Sequence, residues 1–264
     1  MTKIILCGCF GRLGSAICRL VTQKSEIEIV AGTDITLPSG GLAYPIYSDI
    51  FLCQQPADVV ICVIPPSATA DIEATLVYCV KRQIPLVLCT TGLPADIIEA
   101  VQKAAGEIAV FQSANMSLGI NLLSNMLGRA AKLLHNAGFD IEIIEKHHSQ
   151  KLDAPSGTAY LLADAANQAL DGRMRYIHSR SSLHDLSHAT GKRSQDEIGI
   201  HAIRGGSIVG EHNVIFAGQD ELIELTHIAQ SRDVFAVGAI SAAQFIKDKP
   251  PGLYNMQALI DSIH

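Results

Sequence analysis

Between Lys3 and Phe111 the chain repeats one pattern: a short apolar run of strand length, then a stretch with helical periodicity. Strands are expected at Lys3 to Cys7, Glu28 to Ala31, Asp58 to Val63, Pro85 to Cys89 and Ile108 to Phe111, with helices after the glycine loop, at Ala68 to Arg82 and at Ala95 to Ala104. Parallel strands need a crossover long enough to carry a helix, so this rhythm predicts an α/β fold: a Rossmann-like, doubly wound parallel sheet with helices on both faces. Such sheets bind ligands beyond the carboxyl ends of their strands.

The first such end carries Gly8-Cys9-Phe10-Gly11-Arg12-Leu13-Gly14, followed by a helical face of Leu13, Ile17, Leu20 and Val21. Glycines allow a tight turn and close backbone approach to a pyrophosphate, and a helix N-terminus stabilises its charge. A glycine triplet alone is explained as well by a plain turn. Here a strand precedes it, a helix follows, and Asp34 stands at the end of the second strand, where a carboxylate accepts hydrogen bonds from ribose hydroxyls. Gly8, Gly11, Arg12, Leu13, Gly14 and Asp34 are therefore candidate cofactor-binding residues. Asp34 would repel a 2′-phosphate and Ile35-Thr36-Leu37 offers no base, so NADH is favoured; Arg12 keeps NADPH open. Later strand ends carry Ile64-Pro65-Pro66, Thr90-Thr91-Gly92 and Ser113-Ala114-Asn115-Met116. Pro, Gly and Asn form turns anyway. Together these loops are expected to line the nicotinamide, which adds Thr90, Thr91, Gly92, Ser113, Asn115 and Met116 to the candidates.

After a long helix from Leu118 to Leu134 the character changes. Strands at Asp140 to Glu145, Glu197 to Ile203, Val209 to Phe216 and Leu222 to Ile228 alternate apolar with polar residues, as a sheet covered on one face does. This predicts a second, α+β domain built on an open mixed sheet, over 115–231, with 1–114 and 232–264 forming the dinucleotide-binding domain. An open sheet face can pack against copies of itself, so a homo-oligomer is expected.

Between the first of these strands and a helix from Ala159 to Leu170 lies Glu145-Lys146-His147-His148-Ser149-Gln150-Lys151-Leu152-Asp153-Ala154-Pro155-Ser156-Gly157-Thr158. Adjacent strand residues point to opposite faces, so one histidine is expected to face a cleft and the other a wall. Lys151 and the free N–H groups at Gly157 and Thr158 suit a carboxylate, and an imidazole suits proton donation near neutral pH. Paired histidines at a strand end are also ordinary surface, and Ser156 serves equally as a helix N-cap. Arg204-Gly205-Gly206 fits either close approach to an anion or a hairpin turn.

A net charge of −6 argues against nucleic acid or an anionic membrane as partner. No apolar run reaches transmembrane length, and Met1-Thr2-Lys3-Ile4 leads into a strand without a signal-peptide pattern, so a cytoplasmic location is expected. The seven cysteines lie in apolar patterns without a Cys-x-x-Cys pair and are expected to be buried thiols. His184 and His188 have metal-ligand spacing but no third ligand, so no metal site is expected.

The run from Glu145 to Thr158, with Thr90-Thr91-Gly92, Asn115-Met116-Ser117, Arg204-Gly205-Gly206, Gly210-Glu211-His212, Thr226-His227 and Ser231-Arg232, closely resembles the motifs of the dihydrodipicolinate reductase family, in the same order along nearly the whole chain. The resemblance implies a lysine-pathway reductase that uses NADH or NADPH on a cyclic imine dicarboxylate. It implies His147 as proton donor, Lys151 as a substrate-binding residue that supports catalysis, and His148 with Gly157 and Thr158 as the site of a substrate carboxylate. Three departures bear on cofactor preference and loop geometry: Cys62-Val63-Ile64 where the family has Asp-Phe-Thr or Asp-Phe-Ser, Cys89 for a glycine, and Ser207 for an aspartate. Two other readings compete, an amino-acid dehydrogenase of similar architecture and a non-enzymatic nucleotide sensor. Neither requires the block from His147 to Thr158.

Overall fold

The computed structural model describes residues 1–36, 43–178, 180 and 192–263. His184 and His188 lie outside the described residues. The chain divides into two compact units, Met1–Leu118 with Arg232–His264, and Gly119–Ser231.

In chain order the elements are β1 (Thr2–Cys7), α1 (Arg12–Val21), β2 (Ile27–Thr33), β3 (Ile46–Tyr47), β4 (Val59–Cys62), α2 (Thr69–Arg82), β5 (Leu86–Leu88), α3 (Ala95–Ala105) and β6 (Ala109–Gln112). Then follow α4 (Leu118–Asn136), β7 (Asp140–His147), α5 (Gly157–Ala169), β8 (Arg175–His178), β9 (Glu197–Arg204), β10 (Gly210–Ala217) and β11 (Leu222–Ala229). The chain ends with α6 (Asp233–Ile246), β12 (Gly252–Tyr254) and α7 (Met256–Asp261).

In the first unit the strand order is β12-β6-β5-β4-β1-β2-β3, every pair parallel. The chain winds outward from β1 to β3 and returns to β4 on the other side of β1. Alternate residues of the central strands feed two cores. Ile4, Leu6 and Ile61 pack with Ile17 of α1 and Ile240 of α6, while Ile5, Cys7 and Val60 pack with Ile72 and Leu76 of α2 and Val101 of α3. This is the expected Rossmann-like sheet with helices on both faces. All seven cysteines are free thiols, and those in the strands and α2 are fully buried. Burial raises Cys7 to about 11 and Cys53 to about 12.

The second sheet has the order β11-β10-β7-β9-β8, antiparallel up to β7 and parallel from β7 to β8. Burial alternates along β7 and β10, and the inner face packs on α4 and α5 through Leu127, Ala131, Leu162 and Ala166. This is the expected open mixed sheet. β7 runs two residues beyond the expected end, taking Lys146 and His147 into the ladder. β3, β8 and β12 escape the sequence pattern because they are two to four residues long and none presents a run of buried residues.

Candidate active site

Two places carry the candidate residues, one in each unit.

In the first unit, β1 ends in the glycine loop at the point where the strand order reverses. Gly8 has φ of +83°, and a Cβ there would crowd the Val63 carbonyl of the loop after β4, at 3.3 Å. A Cβ at Gly14 would overlap the Gly8 carbonyl, so α1 can approach β1 this closely only through a glycine. Asp34 closes the other side. Its Oδ2 accepts from the Phe10 N–H at 2.9 Å and its Oδ1 from the Thr36 N–H at 3.2 Å. Beside them opens a cleft of about 400 Å³ lined by Gly8, Phe10, Gly11, Asp34, Asp49 and Asp71, among others. Arg12 is exposed on the first turn of α1, and Leu13 packs against the core. Thr90, Thr91, Gly92, Ser113, Asn115 and Met116 lie outside the lining of this cleft. The buried Thr90 donates its hydroxyl to the Ile64 carbonyl at 2.6 Å, tying the loops after β4 and β5 together, and Gly92 turns with φ of +69°. Ser113 is half-buried; Asn115 and Met116 are buried, and Asn115 Oδ1 accepts from the Ser117 N–H at 2.8 Å. Crowded glycines, a helix N-terminus and an acidic strand end suit a dinucleotide.

In the second unit, β7 delivers His147 at its end and α5 begins at Gly157, capped by Ser156, whose hydroxyl accepts from the Ala159 N–H at 3.2 Å. Such a cap is worth about 1 kcal/mol. His147 lies on the inner, buried face of β7, two residues beyond the fully buried Glu145. His148 follows at the next position, half-buried. Lys151 places its ammonium 2.8 Å from Asp153, and this contact foremost holds the Asp153 carboxyl below its ordinary value. Thr158 is half-buried on the first turn of α5, and a Cβ at Gly157 would meet open space.

Behind His147 stands a set of residues outside the candidate catalytic and binding residues, of which the sequence singled out only Arg204, for an anion or a turn, and Ser156, as a helix cap. Glu145 Oε2 lies 2.5 Å from His147 Nδ1, and Arg204 donates two parallel hydrogen bonds to the carboxylate, at 2.7 and 2.8 Å. The Ser156 N–H completes the shell at 3.0 Å. Burial would push the Glu145 carboxyl up, but Arg204 and His147 outweigh it and hold the group below its ordinary value. The anion that Arg204 approaches is thus the chain's own carboxylate. His212 of β10 is buried edge-to-face against His147, with ring centroids 5.2 Å apart, and its Nε2 lies 3.1 Å from the Ser156 hydroxyl. Burial, with His147 adding to it, lowers His212 to about 4. His147 is itself lowered, first by burial and then by Lys151 and Arg204, against the opposing pull of Glu145. The signal for Glu145 was present in the period of β7: Ile141, Ile143, Glu145 and His147 share a face, and a carboxylate on a core face requires a partner.

Residues 2–116 match the family profile described as dihydrodipicolinate reductase, N-terminus, and residues 119–260 match the one described as dihydrodipicolinate reductase, C-terminus. The chain belongs to the dihydrodipicolinate reductase family. It is 47% identical over 261 residues to the 4-hydroxy-tetrahydrodipicolinate reductase of Caldanaerobacter subterraneus subsp. tengcongensis, covering 98% of each chain. It is 45% identical to that of Clostridium tetani, covering 99% of this chain and 98% of the relative. Among solved structures it superposes with a TM-score of 0.78, at 22% identity and 97% coverage of both chains, on the dipicolinate-bound dihydrodipicolinate reductase from Paenisporosarcina sp. TG-14. Membership in the dihydrodipicolinate reductase family makes the chain an NAD(P)H-dependent oxidoreductase of lysine and diaminopimelate biosynthesis. No helix among the described residues is long and apolar enough to cross a membrane.

Proposed function

We infer that the chain is a 4-hydroxy-tetrahydrodipicolinate reductase, reducing with NAD(P)H the cyclic imine dicarboxylate made from aspartate semialdehyde and pyruvate. Water leaves the 4-hydroxy substrate and tetrahydrodipicolinate results. The observation that carries the residue roles is one strand-to-helix connection holding a buried imidazole, an ammonium and an open helix start.

The first unit holds the dinucleotide on Gly8, Gly11 and the N-terminal turn of α1, with the loops bearing Thr90 to Gly92 and Ser113 to Met116 on the nicotinamide side. Bound there, the nicotinamide supplies the hydride. NADH is the preferred donor. Among the described residues the cleft beside the glycine loop presents Asp34, Asp49 and Asp71 and no lysine or arginine, so a 2′-phosphate would meet like charge there without a partner.

The second unit binds the substrate. Lys151, His148 and the Gly157 and Thr158 N–H groups take its carboxylate. Hydride addition to the conjugated imine leaves an electron-rich enamine that takes a proton at the neighbouring carbon, and His147 gives it. Free His147 is neutral at pH 7 because burial depresses its pKa, and the arriving dianion raises it again. The enzyme works in the cytoplasm as a homotetramer, assembled through the outer face of the second sheet.

Consumption of NADH and of NADPH, each with freshly generated substrate, tests the reaction and the preference together. His147→Gln is expected to lower turnover on the order of 100-fold while leaving NADH binding intact. Lys151→Ala is expected to lose both turnover and substrate affinity. Wild-type turnover in either variant removes that residue from the mechanism.

A further inference from the structure

The geometry points to Glu145, clamped by Arg204, as the positioning residue that fixes which ring nitrogen of His147 exchanges the proton, so that Nδ1 is held and Nε2 reacts. The inference rests on the reading of His147 as the proton donor and adds the groups that set it up.

Four donors surround the Glu145 carboxylate: two Arg204 N–H groups at 2.7 and 2.8 Å, the Ser156 N–H at 3.0 Å and His147 Nδ1 at 2.5 Å. A carboxylate with a bidentate guanidinium and a backbone N–H on it is ionised and only accepts. Nδ1 must then carry a hydrogen in both protonation states of the ring, and the proton that comes and goes is on Nε2. The clamp cannot swing away. Glu145 is fully buried in the ladder, paired with His212 on one side and Ala202 on the other, and Arg204 is paired directly with His147 while also donating to the Asp153 carbonyl.

Gly210 supports the same assignment from the opposite side. It is the first residue of β10, and a Cβ there would stand 3.1 Å from His147 Nε2, so the glycine leaves that nitrogen uncrowded. His212 lies against the ring edge-to-face and, being neutral near pH 7, leaves Glu145 as the one anion touching the imidazole among the described residues. The charged and titratable groups facing His147 are Glu145 on its own strand, Lys151 on the loop, Arg204 on β9 and His212 on β10. Of these only Glu145 favours the imidazolium. Removing its charge deprives the ring of both orientation and the interaction that sustains its charged form.

The test uses the full-length enzyme labelled with 15N in its histidines, with His147 assigned by its absence from His147→Gln. Wild type is expected to show Nδ1 protonated and Nε2 bare when neutral. Glu145→Gln is expected to titrate at a lower pH, to lose on the order of 10- to 100-fold in kcat, and to move the falling limb of kcat against pH downward. KM for the cyclic dicarboxylate and Kd for NADH should change by no more than about two-fold, because no substrate or cofactor contact is removed. A merely structural role would lower thermal stability without moving the limb. A wild-type ring carrying its hydrogen on Nε2 overturns the inference, and this measurement stands even if Glu145→Gln fails to fold. So does a folded Glu145→Gln with unchanged kcat and pH profile. Wild-type turnover in His147→Gln would instead remove the proton-donor reading, while the NMR result still decides the clamp.

Discussion

Lys151 is engaged before any substrate arrives. Asp153 holds its ammonium, one of the donors assigned to a substrate carboxylate, so binding is a competition between one carboxylate and another. Asp153 is more than half exposed, and such ion pairs contribute about 0–1 kcal/mol. Asp153→Asn removes the competitor and a charge that repels the dianion. It is expected to lower KM about two- to five-fold with little change in kcat; a raised KM would make Asp153 a positive part of the site. The depressed pKa of His147 makes a second prediction. On the proposal that His147 is the acid it must be protonated, so kcat/KM, which reports the free enzyme, should fall with rising pH through a value below 6.5. The limb of kcat should lie higher, because bound carboxylates favour the imidazolium; coincident limbs would contradict that coupling. His147 and Lys151 stand out in the sequence as candidates because their chemistry is local to one loop. The partnership of Glu145 with Arg204 does not, since it spans 59 positions and exists only through the register that sets His147 beside Arg204.

Two element junctions carry strain or charge that a single substitution would expose. The strand–helix packing of β1 on α1 depends on the missing Cβ of Gly14. Gly14→Ala pushes a methyl group into the Gly8 carbonyl and should cost about 1–3 kcal/mol as overpacking, read as a lower urea midpoint, together with weakened NADH binding. An unchanged midpoint and NADH affinity would show that the helix can retreat at no cost. The second junction joins β10 to the start of α5, where His212 meets the Ser156 cap. His212 is protonated at about 4 in the fold against 6.5 unfolded, so the unfolded chain binds the extra proton first. Its contribution is complete above pH 6.5 and is lost as pH falls toward 4, amounting to on the order of 3 kcal/mol. Glu142 and Glu145, with lowered values, add their losses only below about 4.5, the ordinary carboxylate range. Unfolding free energy measured at intervals from pH 7 to 4 should therefore slope downward, and His212→Asn should flatten the upper part of that slope. At this scale the sequence was readable wherever an element is long enough to show its period. β3, β8 and β12 are not, and their existence depends on neighbouring strands that accept them at sheet edges.

The change of pattern after Leu118 marked the second unit because a sheet covered on one face alternates, whereas one buried on both does not. That same alternation leaves an outer face on which, among the described residues, large apolar side chains stand exposed. Register places Ile228, Glu211, Lys146 and Ile203 in one row across four strands, and Thr226, Asn213, Ile144 and His201 in the next. Lys146 and Glu211 already pair at 2.9 Å, which leaves the isoleucines as the groups with most to gain from burial. Ile228 is 58% exposed and Ile203 46%. Fully burying one such side chain is worth about 1.5–3 kcal/mol, and in a closed oligomer every copy contributes its own. Ile228→Lys reverses that gain in each protomer and brings like charges together across a symmetric contact, while an exposed substitution costs the isolated chain about 0.5 kcal/mol or less. Sedimentation of the wild type is expected to report a homotetramer and that of Ile228→Lys a smaller species with unchanged circular dichroism. A variant that sediments as the wild type would place the interface on another surface.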